Sequence, residues 1–146
     1  MGIDKLPDLY QALLVEQALL IADSLLVTEI RALEQLGPKI SNLSQQLSVY
    51  AMKQTIAQPD FHDNNILIAD GSGHIIYIDL GEIVISHPLF SLITCLEQLK
   101  RHHALTNKDE IYIRIMAVCL KKYMPFESKK NRLHAFEVAY KLWFVY

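Results

Sequence analysis

From Pro7 to Leu36 the apolar residues Leu9, Leu13, Leu20, Leu26, Ile30 and Leu33 recur close to a helical stripe, which predicts helix over most of the segment. Asp23 and Ser24, polar residues of the kind that cap helix N-termini, divide it into two helices. Gly37-Pro38 then ends it. Helical spacing resumes from about Ser41 to Ile56, where Leu43, Leu47, Tyr50 and Ala51 share a face and Gln45, Gln46 and Lys53 point away. This further helix is expected to deliver the chain directly into Asp60.

The pattern changes after that point. Two short apolar runs, Ile66-Leu67-Ile68-Ala69 and Ile75-Ile76-Tyr77-Ile78, flank Asp70-Gly71-Ser72-Gly73, where glycine supplies the positive φ that other residues resist. They predict a β-hairpin. Glu82-Ile83-Val84-Ile85 reads as a further short strand, and Ser86-His87-Pro88 as a turn whose proline opens a helix reaching about His103. Asn107, followed three residues later by Glu110, resembles a capping box and starts a helix that carries Ile111, Ile115, Val118 and Leu120 to about Tyr123. Met124-Pro125 breaks it, and a last helix from about Ser128 carries Leu133, Phe136, Tyr140, Trp143 and Phe144. The expected fold class is therefore mainly α with a small β-hairpin.

Composition narrows the picture. The chain has 146 residues, 51% of them hydrophobic, which is the size and content of one ordinary domain spanning residues 1–146. Fourteen Lys and Arg against sixteen Asp and Glu give a net charge of -2, with no broad positive field for nucleic acid. Cys95 and Cys119 sit in apolar helical patterns and form neither a disulfide framework nor a four-cysteine zinc site, which fits a reducing, cytoplasmic setting. The N-terminus lacks the basic and apolar regions of a secretory signal. Ala12 to Val27 is interrupted by Glu16, Gln17, Asp23 and Ser24, so no membrane span is expected. The apolar tail Phe144-Val145-Tyr146 has no stop signal and raises the expectation that the protein continues beyond it.

Candidate chemistry gathers at the ends of the hairpin. Closing it brings Asp60, His62, Asp63, Asn64 and Asn65 towards Asp79, Gly81 and Glu82. Phosphoryl transfer needs a carboxylate to accept or orient the proton of the attacking hydroxyl, and oxygen ligands for magnesium. Magnesium takes hard oxygen donors at ~2.0–2.1 Å and commonly only one or two from the protein. One Asp and one Asn would suffice.

The run Asp60-Phe61-His62-Asp63-Asn64-Asn65-Ile66-Leu67, followed by Ile78-Asp79-Leu80-Gly81, resembles two motifs of the aminoglycoside phosphotransferase and choline kinase superfamily, relatives of the protein kinases. These are D-x-H-x-x-N before an apolar strand, and I-D-[FLW]-[GE]. The resemblance implies a catalytic loop over residues 58–65 and a metal motif over 78–82, with Asp60 as catalytic base and Asn65 and Asp79 as magnesium ligands. His62 would stand where protein kinases carry a lysine. The fold implied is a protein-kinase-like C-terminal lobe covering nearly the whole chain. The N-terminal β lobe, with its phosphate-covering loop and lysine, would be absent, since nothing before Pro7 could supply it.

Two places depart from the family pattern. Gln58-Pro59-Asp60 replaces H-G-D, and His87-Pro88-Leu89-Phe90-Ser91 replaces D-P-x-x-D. The family's histidine and aspartate brace the catalytic loop, so a Gln58–Ser91 hydrogen bond is expected in their stead.

The implied function is ATP- and Mg2+-dependent phosphotransfer to a small-molecule hydroxyl, incomplete in this chain alone. The alternative is a catalytically inactive, pseudokinase-like binding or regulatory module. A metal-dependent hydrolase built on Asp60, His62, Asp63 and Asp79 ranks behind both, because such enzymes show more histidine ligands. The partners implied are nucleotide, the hydroxyl substrate, and either a missing lobe or a second copy meeting exposed apolar surface. His62 reads as a loop hydrogen-bonder, and His87, His102 and His103 as solvated or helix-end residues. Lys100-Arg101 reads as a wet helix face, Tyr140, Trp143 and Phe144 as core, and the cysteines as small buried residues. Asp63 and Glu82 fit either a metal-side or a solvent-facing role.

Overall fold

The computed structural model describes residues 2–22, 24–69 and 71–143, and over these the chain is mainly helical with two small antiparallel sheets. The expectations for Asp23, Asp70, Phe144, Val145 and Tyr146, and for the side chain of Asp63, lie outside the described residues.

The chain opens with a 3-10 turn at Ile3–Lys5, then α1 (Leu6–Val15) and the short α2 (Gln17–Ala22). Pro7 sits in the first turn of α1, where its missing N–H is no loss. The buried face of α1 is Leu6, Tyr10 and Leu14. Leu9 and Leu13, expected on the apolar stripe, are 47% and 56% exposed. Tyr10 sets the rotation: its hydroxyl donates to the Leu33 carbonyl at 2.8 Å, tying α1 to the next long helix. Ser24 does not cap that helix. It lies in the connecting turn at φ 75°, and α3 (Val27–Ser48) begins three residues later, where the Glu29 carboxylate accepts the Leu26 N–H at 2.8 Å.

The predicted break at Gly37-Pro38 does not occur. α3 runs through both residues for 22 positions. Pro38 removes one hydrogen bond and crowds the carbonyl four residues back, at a cost of ~3 kcal/mol or more. The apolar stripe outweighs it: Ile30, Leu33, Gly37, Ile40, Ser44 and Leu47 follow one another at spacings of three and four. The two halves therefore stay in phase, and α3 packs against both α1 and the last helix. It ends at Ser48 rather than Ile56, and the residues assigned to its last turn form β1 (Thr55–Ala57) instead.

β1 pairs antiparallel with β4 (Val84–Ser86), placing Thr55 opposite Ser86, Ile56 opposite Ile85 and Ala57 opposite Val84. Between them lies the predicted hairpin, β2 (Ile66–Ile68) and β3 (Ile75–Tyr77), with Ile66 opposite Tyr77 and Ile68 opposite Ile75. Gly71 and Gly73 adopt φ values of 75° and 67° in its turn, and Ala69 N–H donates to the His74 carbonyl at 2.9 Å to close it.

Three helices follow: α4 (Pro88–His102), α5 (Glu110–Lys121) and α6 (Lys129–Trp143). The expected Asn107 cap is replaced. Asp109 precedes α5, its carboxylate accepting both the N–H and hydroxyl of Thr106, while Asn107 accepts a hydrogen bond from Lys100 Nζ at 2.9 Å. Leu47 of α3, Leu89, Phe90, Ile93 and Leu96 of α4, and Ala135, Val138, Ala139 and Leu142 of α6 form the most enclosed part of the core. Tyr140 and Trp143 pack against it as expected. Lys100 is not a solvated residue: its side chain is 13% exposed and pairs with Glu97 at 2.6 Å. Cys95 and Cys119 are half-buried and not disulfide-bonded. Among the described residues no helix is long and apolar enough to cross a membrane.

Candidate functional site

The β1–β4 ladder brings the two ends of the Gln58–Ile83 segment together at the start of α4. Gln58, immediately after β1, is 8% exposed and makes two bonds there. Its N–H donates to Ser91 Oγ at 2.9 Å, and its side-chain Nε2 donates to the Asp79 carbonyl at 2.5 Å. Gln58 and Ser91 are thus hydrogen-bonded through the main chain of Gln58, and not side chain to side chain as expected. The side chain performs a task that was not foreseen, joining the Asp60 loop to the Asp79 turn. The only signal in the sequence was its position at the head of the loop motif.

Asn65 performs the second joining. Its N–H donates to the His62 carbonyl at 3.1 Å, closing the 3-10 turn at Asp63–Asn65, and its Nδ2 donates to the Asp60 carbonyl at 3.0 Å. Its own carbonyl accepts the Ile78 N–H at 3.0 Å, extending the hairpin ladder by one rung towards Asp79. Asn65 is 6% exposed, and with Nδ2 committed to Asp60 its Oδ1 has no partner among the described residues. Asp79 has φ 56°, the left-handed region that disfavours a residue with a Cβ. Backbone strain of this kind persists only where surrounding bonds fix it, and the Gln58 amide on the Asp79 carbonyl is such a bond.

Both carboxylates face water. The Asp60 side chain is 53% exposed, and His62 Nε2 lies 3.3 Å from its Oδ2. Among the described residues His62 Nδ1 is buried without a partner. The His62 side chain thus meets Asp60 at ion-pair distance, and the loop hydrogen bond expected of it is not formed among the described residues. Asp79 and Glu82 are exposed.

His87 departs from its expected solvated state. It is 2% exposed at the N-cap of α4, where Nδ1 accepts the Leu89 N–H at 3.3 Å. Desolvation lowers its pKa to about 4. The imidazole is thus a neutral structural cap, standing two residues before Leu89 where the family pattern has aspartate.

An apolar cleft of about 430 Å³ adjoins the loop, walled by Ile56, Phe61, Tyr77, Leu80 and Ile83. Phe61 and Tyr77 approach with ring centroids 6.0 Å apart. Asp60, Asn65 and Asp79 do not line it, so the cleft backs the polar site without containing it. Among the described residues, no three His, Cys, Asp or Glu are grouped to hold a metal. Compared with protein-family models, curated proteins and solved structures, the chain matches none.

Proposed function

We propose that this chain is the protein-kinase-like C-terminal lobe of an ATP-dependent phosphotransferase acting on a small-molecule hydroxyl in the cytoplasm. One observation carries the reading: the hydrogen-bond frame Gln58–Asp79 and Asp60–Asn65–Ile78 gathers the motif residues at one end of the hairpin. Helices before the loop, a hairpin between the motifs and helices after them agree with it.

Asp60 would act as the base. His62 Nε2 lies 3.3 Å from one carboxylate oxygen, and the other would accept the proton of an incoming hydroxyl. Asn65 Oδ1 and the Asp79 carboxylate are hard oxygen donors, the type magnesium prefers, and the Asn65 amide is already turned so that oxygen, not nitrogen, is free. When bound there, magnesium would neutralise charge on the nucleotide phosphates. Gln58 and the Asp60 carbonyl contribute by fixing where these donors sit.

The second reading, a binding or regulatory module without turnover, draws on the exposure of both Asp60 and Asp79. Phosphoryl transfer benefits from water exclusion, and neither residue lies in an enclosed pocket. The hydrolase reading has less support, since no grouped set of His, Cys, Asp and Glu occurs among the described residues.

Calorimetric titration with ATP, with and without magnesium, tests the proposal. Magnesium-dependent binding should be abolished by Asp79→Asn. Asp60→Asn should retain binding while nucleotide turnover falls by ~10²-fold or more. Binding without turnover would move the conclusion to the regulatory module. No magnesium-dependent binding, or binding indifferent to Asp79→Asn, would overturn the assignment of the metal ligands.

A further inference from the structure

The last turn of α5 and the first turn of α6 border a half-open cavity of about 410 Å³, a volume typical of small-molecule sites. Leu120, Met124 and Leu133 supply apolar wall, and Lys121, Lys129 and Arg132 supply three cations. No carboxylate lines it. Arg132 is the unusual member. It is 9% exposed, and among the described residues its guanidinium makes one hydrogen bond, from Nη1 to the Glu127 carbonyl at 2.6 Å.

A buried guanidinium is ordinarily matched by an acid. Among the described residues no Asp or Glu forms an ion pair with Arg132. Glu127, whose carbonyl Arg132 contacts, turns its carboxylate elsewhere: one oxygen accepts the Ala51 N–H at 2.6 Å and the other the Asn131 Nδ2 at 2.8 Å, and Glu137 is exposed. The first turn of α6 moreover has no acidic residue and begins Lys129-Lys130. Cations at a helix N-terminus are disfavoured by the helix dipole. Positive charge is thus concentrated on one half-open, partly apolar space with no carboxylate among its lining residues.

We infer that this cavity binds a small anionic amphiphile, a phosphate monoester or carboxylate head on a short apolar body. The head meets Arg132, Lys121 and Lys129, with guanidinium suited to paired hydrogen bonds from its planar fork. The body lies against Leu120, Met124 and Leu133. The site is separate from the Asp60 loop, because α5 turns other residues, Val118, Cys119 and Lys122, towards Ile56 and Phe61. It therefore stands or falls independently of the phosphotransferase reading.

Calorimetry of the whole chain with hexyl phosphate, hexanoate and hexan-1-ol, in magnesium-free buffer, tests it. At least one of the two anions should saturate a single site with a Kd of about 1 mM or lower, and their comparison identifies the preferred head. Lys121 and Lys129 are exposed, so the Lys121→Gln/Lys129→Gln variant leaves the core alone. It should weaken anion binding by ~10-fold or more. Arg132→Met, which keeps the buried stem, should remove binding; the lysine variant decides if that protein does not fold. Absence of saturation by both anions, hexan-1-ol binding as tightly as they do, or undiminished binding in the lysine variant would each overturn the proposal.

Discussion

His87 and Asp79 are two residues whose local chemistry departs from their type. His87 is held neutral by burial, with a pKa lowered to about 4 from an ordinary 6.5. A depressed folded-state value means that its contribution is present above the unfolded pKa and is lost as pH falls from ~6.5 towards 4. The loss amounts to ~3 kcal/mol at most. Denaturant titrations across that range should show a steeper decline for the parent than for His87→Asn, since asparagine keeps an N-cap acceptor without a titrating ring. Parallel declines would remove His87 as the cause. Asp79 holds a left-handed backbone, so Asp79→Gly should raise stability by ~1 kcal/mol while losing any magnesium-dependent nucleotide affinity. Loss of stability would mean that the carboxylate supports the fold instead. Neither property was legible in the sequence. A histidine before proline reads as an exposed turn residue, and only the packing of α4 buries it.

At the level of elements, the hairpin and α3 separate signals that hold from one that does not. The hairpin was legible because its partners lie close in sequence and Gly71 and Gly73 adopt the φ values the turn requires. β1 was not, because its partner β4 is some thirty residues away and Ile56 continues a helical spacing as readily as it begins a strand. Local pattern carries no information about that distant pairing. Gly37-Pro38 misled in the opposite direction: it is a genuine breaker, overridden because Ile40, Leu43 and Leu47 meet the same core that Leu33 packs against. α3 therefore retains an uncompensated weakness. A Cβ added at Gly37 meets no atom within 4 Å, so Gly37→Ala should stabilise the protein by ~1 kcal/mol. Thermal or denaturant unfolding will read it, and a destabilised variant would show that the helix bends there in a way that needs glycine. In the candidate site, the Asp60, Asn65 and Asp79 motifs were readable, whereas the Gln58 amide on Asp79 depends on a rotamer that sequence does not encode.

For the whole molecule, the distribution of apolar surface matters most. Ile56, Ile68, Ile75 and Ile85 are all at least half exposed, at 67%, 71%, 57% and 51%, and all belong to the two small sheets. Helices α3, α4 and α6 bury their apolar faces; the sheets do not. Such surface normally meets something else. Concentration-dependent association in sedimentation experiments is the expected outcome, reduced by Ile68→Lys together with Ile75→Lys. A strictly monomeric parent at high concentration would show that these side chains are tolerated in water.

The β1–β4 ladder has a consequence in time as well as in space. Three residue pairs and the Gln58–Ser91 bond close the whole excursion from Gln58 to Ile83, while α3 and α4 each pack directly on α6. Opening that short ladder releases Gln58, the Asn65 turn and the hairpin together, at a free energy below that of global unfolding. Amide hydrogen exchange should therefore find residues 58–83 opening as one cooperative group, ahead of α3, α4 and α6. Exchange of the Ile66–Tyr77 amides at the rate of the helical core would show instead that the loop and its scaffold form a single unit. If the segment does open first, a ligand that bridges Asn65 and Asp79 would slow its exchange selectively, giving a readout of binding even where no turnover occurs.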